Sequence, residues 1–585
     1  MTEVAKPKLL GREFKHATKV NSKFNDHDEA IFVKEIEHWD NGVRIPKIRM
    51  IKNFERTFYV TRDKFRTHKE KRSWEDKDKL REYRCTEREM PLAIVKALGY
   101  GRPSSIKQLN RSPYLYGTDI NSTTIIKREY DRKWGEYKSD YLTAHLDIER
   151  DVTFGTEAIQ MISISCGNEV FQVITEHYMA GDTEFLDKVR KCYDAEIPPI
   201  FEELAAARDE DGKPKFFKGK VHEPFNIILK TAKTEAEAVI LAFDYLHEKK
   251  PDILSIWNLP YDLEKMCIAL KRENIEPEDV FCDPKIPKEY RYFRFQEGSA
   301  RILDANGEGA NKEPQDRWHR VNCPSHFFWA DQMCVRRAIR KHLPKEGGYG
   351  LGAVLMRVFG FGKLKGDAGK NRSTGIDWHR QMQRNEKVFY CVYNMFDNIG
   401  AQLLDEYTLD LRNTFPAQCG WSDMSNYGSQ GKKLYDDQYF KLLERENTVI
   451  CGISDQMQNE MDDLLVTLEG WICTLSSHLI DRGMGNKVIK EFPDILTKVI
   501  KWVLDIDVKS SYPSTGVWMN LEQQTIIRQM CKILGITMEE QRRLGINLPA
   551  GAVNAVNIMT TICNAPSQET MLHRFAKARG ITLEY

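Results

Sequence analysis

Apolar residues recur at every second position through much of residues 141–410. Ala144, Leu146 and Ile148 alternate with polar neighbours, and so do Ile162, Ile164 and Cys166. Successive strand side chains face opposite ways, so each run predicts a strand with one apolar face. Gly167-Asn168 is a turn signal, and Val170-Phe171-Gln172-Val173 resumes a strand behind it. That order predicts an antiparallel meander. Further along, the period lengthens. Leu263, Met266, Cys267 and Leu270 lie at helical spacing, as do Val388, Val392, Met395, Ile399 and Leu403. An apolar run from Ile253 to Trp257 stops at Asn258, and Pro260 suits the first turn of the helix that follows. Together these features predict an α/β domain that opens on a meander.

The flanks read differently. Residues 1–140 hold short β-like runs, Ala30-Ile31-Phe32-Val33 and Thr57-Phe58-Tyr59-Val60, and predict a β-rich N-terminal domain. The stretch from Arg62 to Arg84 interleaves Lys and Arg with Asp and Glu, and reads as a solvated helix face of mixed charge. Its Phe65, Trp74 and Tyr83 leave open a surface that tracks a DNA backbone. Residues 411–490 read as a polar helical connector, with a break at Tyr427-Gly428-Ser429-Gln430-Gly431. Val499 to Leu504 has the pattern of a buried strand, and helix predominates after Pro513. Four regions result, 1–140, 141–410, 411–490 and 491–585, in a chain whose 585 residues lead one to expect roughly three or four domains.

Composition narrows the class only a little. A hydrophobic content of 41% with 30% charged residues is that of an ordinary globular protein. The net charge of +1 excludes no partner, because a cluster of acids offsets basic surface elsewhere in the sum. Thirteen cysteines without any C-x-x-C pair argue against a zinc ribbon or a disulfide scaffold, so a reducing, intracellular (cytoplasmic) setting is expected. The polar N-terminus lacks the apolar core of a signal peptide, and no apolar run of about 18 residues predicts a membrane span.

The candidate chemistry lies in four short acidic motifs. His145-Leu146-Asp147-Ile148-Glu149 comes first, and Asp147 and Glu149 project from one face of a strand, where they can hold a metal ion. Alone, such a pair is common on solvated strand edges. In Trp257-Asn258-Leu259-Pro260-Tyr261-Asp262, the acid falls at a helix start, where the helix dipole is reason enough for it. In Tyr393-Asn394-Met395-Phe396-Asp397, Tyr393 and Asp397 share a helix face. The fourth motif is Asp507-Val508-Lys509-Ser510-Ser511-Tyr512-Pro513-Ser514. Tyr290-Arg291-Tyr292-Phe293-Arg294-Phe295 alternates basic and aromatic residues, as either an amphipathic structural strand or a base-stacking face. Gly366-Asp367-Ala368-Gly369-Lys370-Asn371 fails the P-loop spacing, and Gly347-Gly348-Tyr349-Gly350-Leu351-Gly352 fails the dinucleotide fingerprint.

Each acid has a bland explanation separately; the set does not. The first three motifs, in this order and on strand, junction and helix, resemble the proofreading exonuclease domains of DNA polymerases, which have an RNase H-like fold. The fourth resembles the first palm motif of family B DNA polymerases, usually Asp-x-x-Ser-Leu-Tyr-Pro-Ser, with Ser511 where leucine is usual. Over nearly its whole length the chain is similar to the N-terminal part of a phage-type family B polymerase. The resemblance implies an α/β (α+β multidomain) protein: a β-rich N-terminal domain, an RNase H-like exonuclease and the beginning of a palm. It further implies a 3′→5′ exonuclease using two Mg²⁺ or Mn²⁺ ions. Asp147 would bridge both ions, Glu149 and Asp397 would complete the water-activating site, and Asp262 would support the second ion. Tyr393 would place the nucleophile, while Asn258 and Tyr261 would contact the frayed strand.

By the same resemblance Asp507 would bind both metals of nucleotide addition, and Tyr512 would lie under the deoxyribose. The backbone around Ser510 and Ser511 would hold the triphosphate of a dNTP. The family's Lys-x-x-x-Asn-Ser-x-Tyr-Gly helix and Tyr-x-Asp-Thr-Asp turn are absent from the sequence. The expectation is therefore the proofreading portion of a polymerase acting on primer-template DNA and single-stranded 3′ ends. A second polypeptide would supply the remaining palm, fingers and thumb. A free-standing exonuclease with a vestigial palm is the alternative. The presence of all four acids with Tyr393 speaks against a non-catalytic scaffold.

Overall fold

The computed structural model describes residues 7–451 except 70, 73, 304–308, 341–344, 365–374, 416–419 and 429. The strand pattern at 499–504, the fourth motif with Asp507, Ser510, Ser511 and Tyr512, the C-terminal segment and the glycine run at 366–371 lie outside the described residues. Residues 66–75, 110–114 and 451 belong to one compact unit. Within it the Tyr114 hydroxyl donates to the His68 carbonyl at 2.7 Å, and Arg72 pairs with Glu75 at 2.9 Å. The other described residues form a second, larger unit that includes both the N-terminal and the α/β regions.

The larger unit begins with three antiparallel strands, β1 (Leu9–Asn21), β2 (Glu29–Trp39) and β3 (Arg44–Lys52), with β2 in the middle. A second small sheet sets β4 (Arg56–Thr61) between β5 (Leu80–Cys85) and β6 (Leu115–Tyr116). The β-rich reading of this region holds. The helix expected from Arg62 to Arg84 does not form: its described residues make 3₁₀ turns at Asp63–Phe65 and Lys77–Lys79, a short strand at Trp74–Asp76 and the strand β5. Charge dominates the composition there, but β4 needs a partner, and its pairing runs from Arg56 opposite Cys85 to Thr61 opposite Leu80. Only the ends of β5 are buried, its charged residues Arg81, Glu82 and Arg84 are exposed, and Tyr83 stacks on Phe58 at 5.4 Å between ring centroids. Helix α1 (Ser122–Trp134) lays Ile126 and Tyr130 against Phe14, Ile31 and Val33.

The sheets meet the α/β part through buried charge. Lys34 is fully enclosed, donates to the carbonyls of Lys250 (2.9 Å) and His326 (3.1 Å), and pairs with Asp252 at 3.1 Å. A buried ammonium is tolerated only with such a complete set of partners.

The α/β part is a six-stranded sheet. The meander β7 (Thr143–Arg150), β8 (Ile159–Cys166) and β9 (Glu169–Thr175) comes first, then β10 (Asn226–Ala232), helix α2 (Glu235–Lys249), β11 (Ile253–Ile256), helix α3 (Leu259–Arg272) and β12 (Phe328–Asp331). The order across the sheet is β10-β9-β8-β7-β11-β12, with β8 antiparallel to its neighbours and the other pairs parallel. Helices α4 (Gln332–Ile339), α5 (Leu351–Phe359), α6 (Ile376–Asn385) and α7 (Lys387–Thr408) follow. Leu146, Ile148, Ile162 and Ile164 bury one face against Val239, Phe243, Leu263 and Met266 of α2 and α3. The opposite face, carrying Asp147, Glu149 and Ser163, is covered by α7, which is buried from Tyr390 to Asp405. Gly400 permits this closeness to α5, since a Cβ there would lie 2.9 Å from Leu355 Cδ1.

Two smaller expectations resolve. In 290–295, Tyr290 is buried against Phe32, Phe293 packs on Phe281, and Phe295 stacks on His319, so these three rings are structural. The connector after 411 is helical at Asp410–Thr414 and Gln430–Arg445, but also contains a strand, Thr448–Ile450. Among the described residues no helix is long and apolar enough to cross a membrane, and the nine described cysteines are free thiols.

Candidate active site

The register of the sheet dictates where the acids meet. Strand β11 pairs with β7 only from Ile253 opposite Thr143 to Ile256 opposite Leu146. Asp147 is thus the first residue of β7 beyond that pairing, level with the turn at Trp257-Asn258 where α3 begins. Asp331, at the end of β12, fixes this turn: its carboxylate accepts from the Leu259 amide at 3.2 Å while capping α4 through the Cys334 amide at 2.9 Å. Asp262 then lies in the first turn of α3, buried.

From the other side α7 delivers Asp397. Ligand oxygens of Asp147, Glu149 and Asp397 all lie within 4.8 Å of one another. Asp397 Oδ1 is buried with no hydrogen-bond partner. Asp262 faces the same group without belonging to that tight trio. Burial first, then the charges of Asp147 and Glu149, push its carboxyl well above the usual range. The same crowding acts on the trio. Burial and Asp397 push Asp147 up to about 7, and burial with Asp147 pushes Glu149 well up. Asp397 is raised by burial despite the neighbouring Lys363. A divalent cation would relieve this repulsion, and the all-carboxylate donor set suits Mg²⁺ or Mn²⁺.

Several residues in this arrangement went unassigned in the sequence. Lys363, from the loop after α5, donates to Asp397 Oδ2 at 2.5 Å and to the Tyr393 hydroxyl at 3.0 Å. Burial opposes its charge, but Asp397, Tyr393 and Asp147 hold the ammonium well above its ordinary range. Nothing in a lone lysine between glycine and leucine signals this role. Asn394 Nδ2 donates to Asp147 Oδ2 at 2.8 Å, and the Tyr390 hydroxyl donates to Glu149. These two were legible in principle: Tyr390 and Asn394 repeat, one turn earlier, the i, i+4 spacing of Tyr393 and Asp397. His379 of α6 lies 2.8 Å from the Tyr390 hydroxyl, and burial, then Lys363, lowers it to about 4.

Asp147, Glu149 and Asp262 open into a cavity of about 540 Å³ also lined by Trp257, Asn258, Tyr261, Lys363 and His379, while Asp397 and Tyr393 lie buried behind Lys363. Asn258 and Tyr261 are therefore at the cleft, with the Arg150 guanidinium 5.2 Å from the Tyr261 ring. Beside it, the Asp151 carboxylate accepts from the amides of Thr153 (2.9 Å), Phe154 (3.0 Å) and Thr156 (3.2 Å), fixing a loop whose tip, Phe154, is 79% exposed. A second group of metal-capable side chains, His319, Asp331 and Cys334, is buried behind the turn at Leu259, and there Asp331 is committed to its two backbone amides. No family model matches the chain, and no curated protein matches it in sequence.

Proposed function

We propose that this chain is a 3′→5′ DNA exonuclease with an RNase H-like catalytic domain, the proofreading portion of a family B DNA polymerase. The observation that carries the reading is the convergence of Asp147, Glu149 and Asp397 within 4.8 Å, with Asp397 Oδ1 unpartnered, at a cleft lined by Asp147, Glu149 and Asp262. The central position of β7 in a mixed sheet, with its acids facing one long helix, supports the same reading.

Asp147, Glu149 and Asp397 would hold the ions, with Asp262 facing them. Two bound Mg²⁺ or Mn²⁺ ions supply charge that activates water and stabilises the leaving 3′-oxygen. Asn394 and Tyr390 orient the carboxylates of Asp147 and Glu149. The Tyr393 hydroxyl is held by Lys363 and Asp397, and on this reading it would help to place the attacking water. Asn258 and Tyr261 line the path of the strand, and the exposed ring of Phe154 offers a stacking platform for an unpaired base. We extend the proposal through the resemblance to Asp507, Ser510, Ser511 and Tyr512 as nucleotide-addition residues, completed by a second polypeptide that binds primer-template DNA and dNTPs with this chain.

The test is a labelled primer-template incubated with the chain, Mg²⁺ and dNTPs. Primer shortening is expected, abolished by Asp147→Ala with single-strand binding retained. Undiminished shortening in that variant refutes the site. Asp507→Ala should leave shortening intact and abolish extension in the reconstituted assembly.

A further inference from the structure

Beside the acidic cleft a further carboxylate, Glu157, bridges two cations. Its Oε1 accepts from the guanidinium of Arg150, the last residue of β7, and its Oε2 accepts from Lys265 Nζ of α3 at 2.8 Å. Both cations lie near the Tyr261 ring, Arg150 at 5.2 Å and Lys265 at 5.7 Å from its centroid. Tyr261 and Lys265 are four apart on α3 and share a face. Arg150 and Tyr261 line the cavity itself, so the bridge stands at its entrance.

Holding the loop does not require this carboxylate. Asp151 already fixes residues 153–156 through three amides and the Thr156 hydroxyl. Gln383 of α6 accepts from the Val152 amide at 3.1 Å and donates to the Arg150 carbonyl at 2.6 Å. Glu157 itself sits at φ +57°, a left-handed conformation that is costly for a residue with a long side chain. Glycine takes that conformation freely, as Gly155 does at +72° in the same loop. The backbone therefore favours glycine at 157, yet the position holds an acid. Half-exposed ion pairs stabilise a fold little, being screened by water and salt. The role of Glu157 lies in the cations it neutralises.

Among the described residues lining the cavity, the lysine and arginine side chains are Lys363 and Arg150. Lys363 is taken by Asp397 and Tyr393. Arg150, with Lys265 beside it, remains to meet the charge of an incoming strand. A carboxylate and a phosphodiester share one pattern, a negative charge spread over two terminal oxygens. Each oxygen of Glu157 takes one cation, so the pair already binds an anion in that geometry. A neutral ligand would gain nothing by displacing it.

We propose that Arg150 and Lys265 form a backbone-phosphate site at the cleft entrance, that Glu157 occupies it in the DNA-free protein, and that a phosphodiester of the entering single strand displaces Glu157. This rests on the reading that a single strand enters the cleft, and it names the groups that admit it.

The test uses the full chain carrying Asp147→Ala, in EDTA, with the fluorescence anisotropy of a labelled oligothymidylate followed over a range of salt concentrations. Glu157→Gln should tighten binding by about 2–10-fold, because the two cations no longer have to be freed. Arg150→Met and Lys265→Met keep their apolar stems over Tyr261, and each should weaken binding. Together they should lower the salt slope by about 0.7, the loss of one phosphate contact. In that double variant Glu157→Gln should have no effect, which separates a site from a general change in charge. A neutral methylphosphonate walked along the 3′ end should cost affinity at one linkage, and the cost should vanish in the double variant. Weaker binding in all three single variants, no change in any, or a Glu157→Gln gain that persists in the double variant would overturn the proposal. Primer shortening by the chain with Asp147 intact is read alongside. Shortening with unmoved binding defeats the phosphate site alone, whereas opposed binding responses without shortening defeat the exonuclease reading alone.

Discussion

Replacing Asn394 by Leu tests whether the neighbours of the acids, and not only the acids, set metal binding. The side chain is fully buried; its Nδ2 donates to Asp147 Oδ2 at 2.8 Å and its Oδ1 accepts from Gln172 Nε2 at 3.1 Å. Leucine is of similar size, so little cavity is created and the change is mainly one of hydrogen bonding. Two losses follow. The Gln172 amide keeps its bond to the Cys391 carbonyl at 2.9 Å, so its loss is partial. Asp147 loses its charge-assisted donor, worth about 1.5–3 kcal/mol, and its affinity for a proton rises further. Loss of a residue that orients a ligand typically weakens metal affinity by about 10–100-fold. The Mg²⁺ concentration for half-maximal primer shortening should therefore rise by that factor, while the rate at saturating Mg²⁺ falls less. Asn394→Asp should be worse than leucine, since it sets another carboxylate against Asp147. An unchanged Mg²⁺ dependence, with any loss confined to thermal stability, would refute the reasoning.

Gly400→Val should destabilise the protein by about 1–3 kcal/mol in urea unfolding through overpacking on Leu355, and Leu355→Ala should recover part of that; additive losses would show the contact is not the cause. Lys363→Met removes an ammonium from among the four acids, costing about 1 kcal/mol because its side chain is 35% exposed and partly screened by solvent. Mg²⁺ should then raise the melting temperature more in the variant than in the native chain, and equal shifts would refute the role. His16 is lowered from its ordinary 6.5 to about 4, chiefly by burial. Stability is full above pH 6.5 and falls as the unfolded chain takes up the proton first, by about 3 kcal/mol near pH 4. His16→Gln should flatten that part of the denaturation profile, and parallel profiles for the two proteins would sink the assignment.

The acids were legible because each sits at a spacing that geometry converts directly into a direction. Asp147 and Glu149 share a strand face, Tyr393 and Asp397 share a helix face, and Pro260 marks the turn that carries Asp262. The meander was equally plain in the alternation from Ala144 to Cys166. The structure supplies what spacing cannot encode. Lys363 reaches Asp397 from a loop, with no periodicity to place it. The charged run at Arg62–Arg84 was misread because composition reports charge, whereas the conformation was decided by the unpaired edge of β4. The aromatic alternation at 290–295 likewise says nothing about which protein surface its rings meet.

What places Asp397 opposite Asp147 is a polar seam in which two periodicities nearly coincide. Four residues of a helix advance about 6 Å, and two residues of a strand advance about 6.6 Å. Along α7, Asn394, Asn398 and Gln402 are four apart; along β8 and its turn, Ser163, Ser165 and Gly167 are two apart. They meet rung by rung. Ser163 Oγ donates to the Asn394 carbonyl at 2.9 Å, and Asn398 Nδ2 to the Ser163 carbonyl at 2.8 Å. Ser165 Oγ donates to the Asn398 carbonyl at 3.2 Å, and Gln402 Nε2 to the Gly167 carbonyl at 2.7 Å. An apolar helix on an apolar sheet could slide by a fraction of a turn at small cost, because dispersion is not directional. Here a slip would strand several buried polar groups at about 1–3 kcal/mol each, so the helix has one register. Since Asp147 pairs directly with Ser163 across β7 and β8, that register also fixes the distance between the acids on the sheet and the acid on the helix.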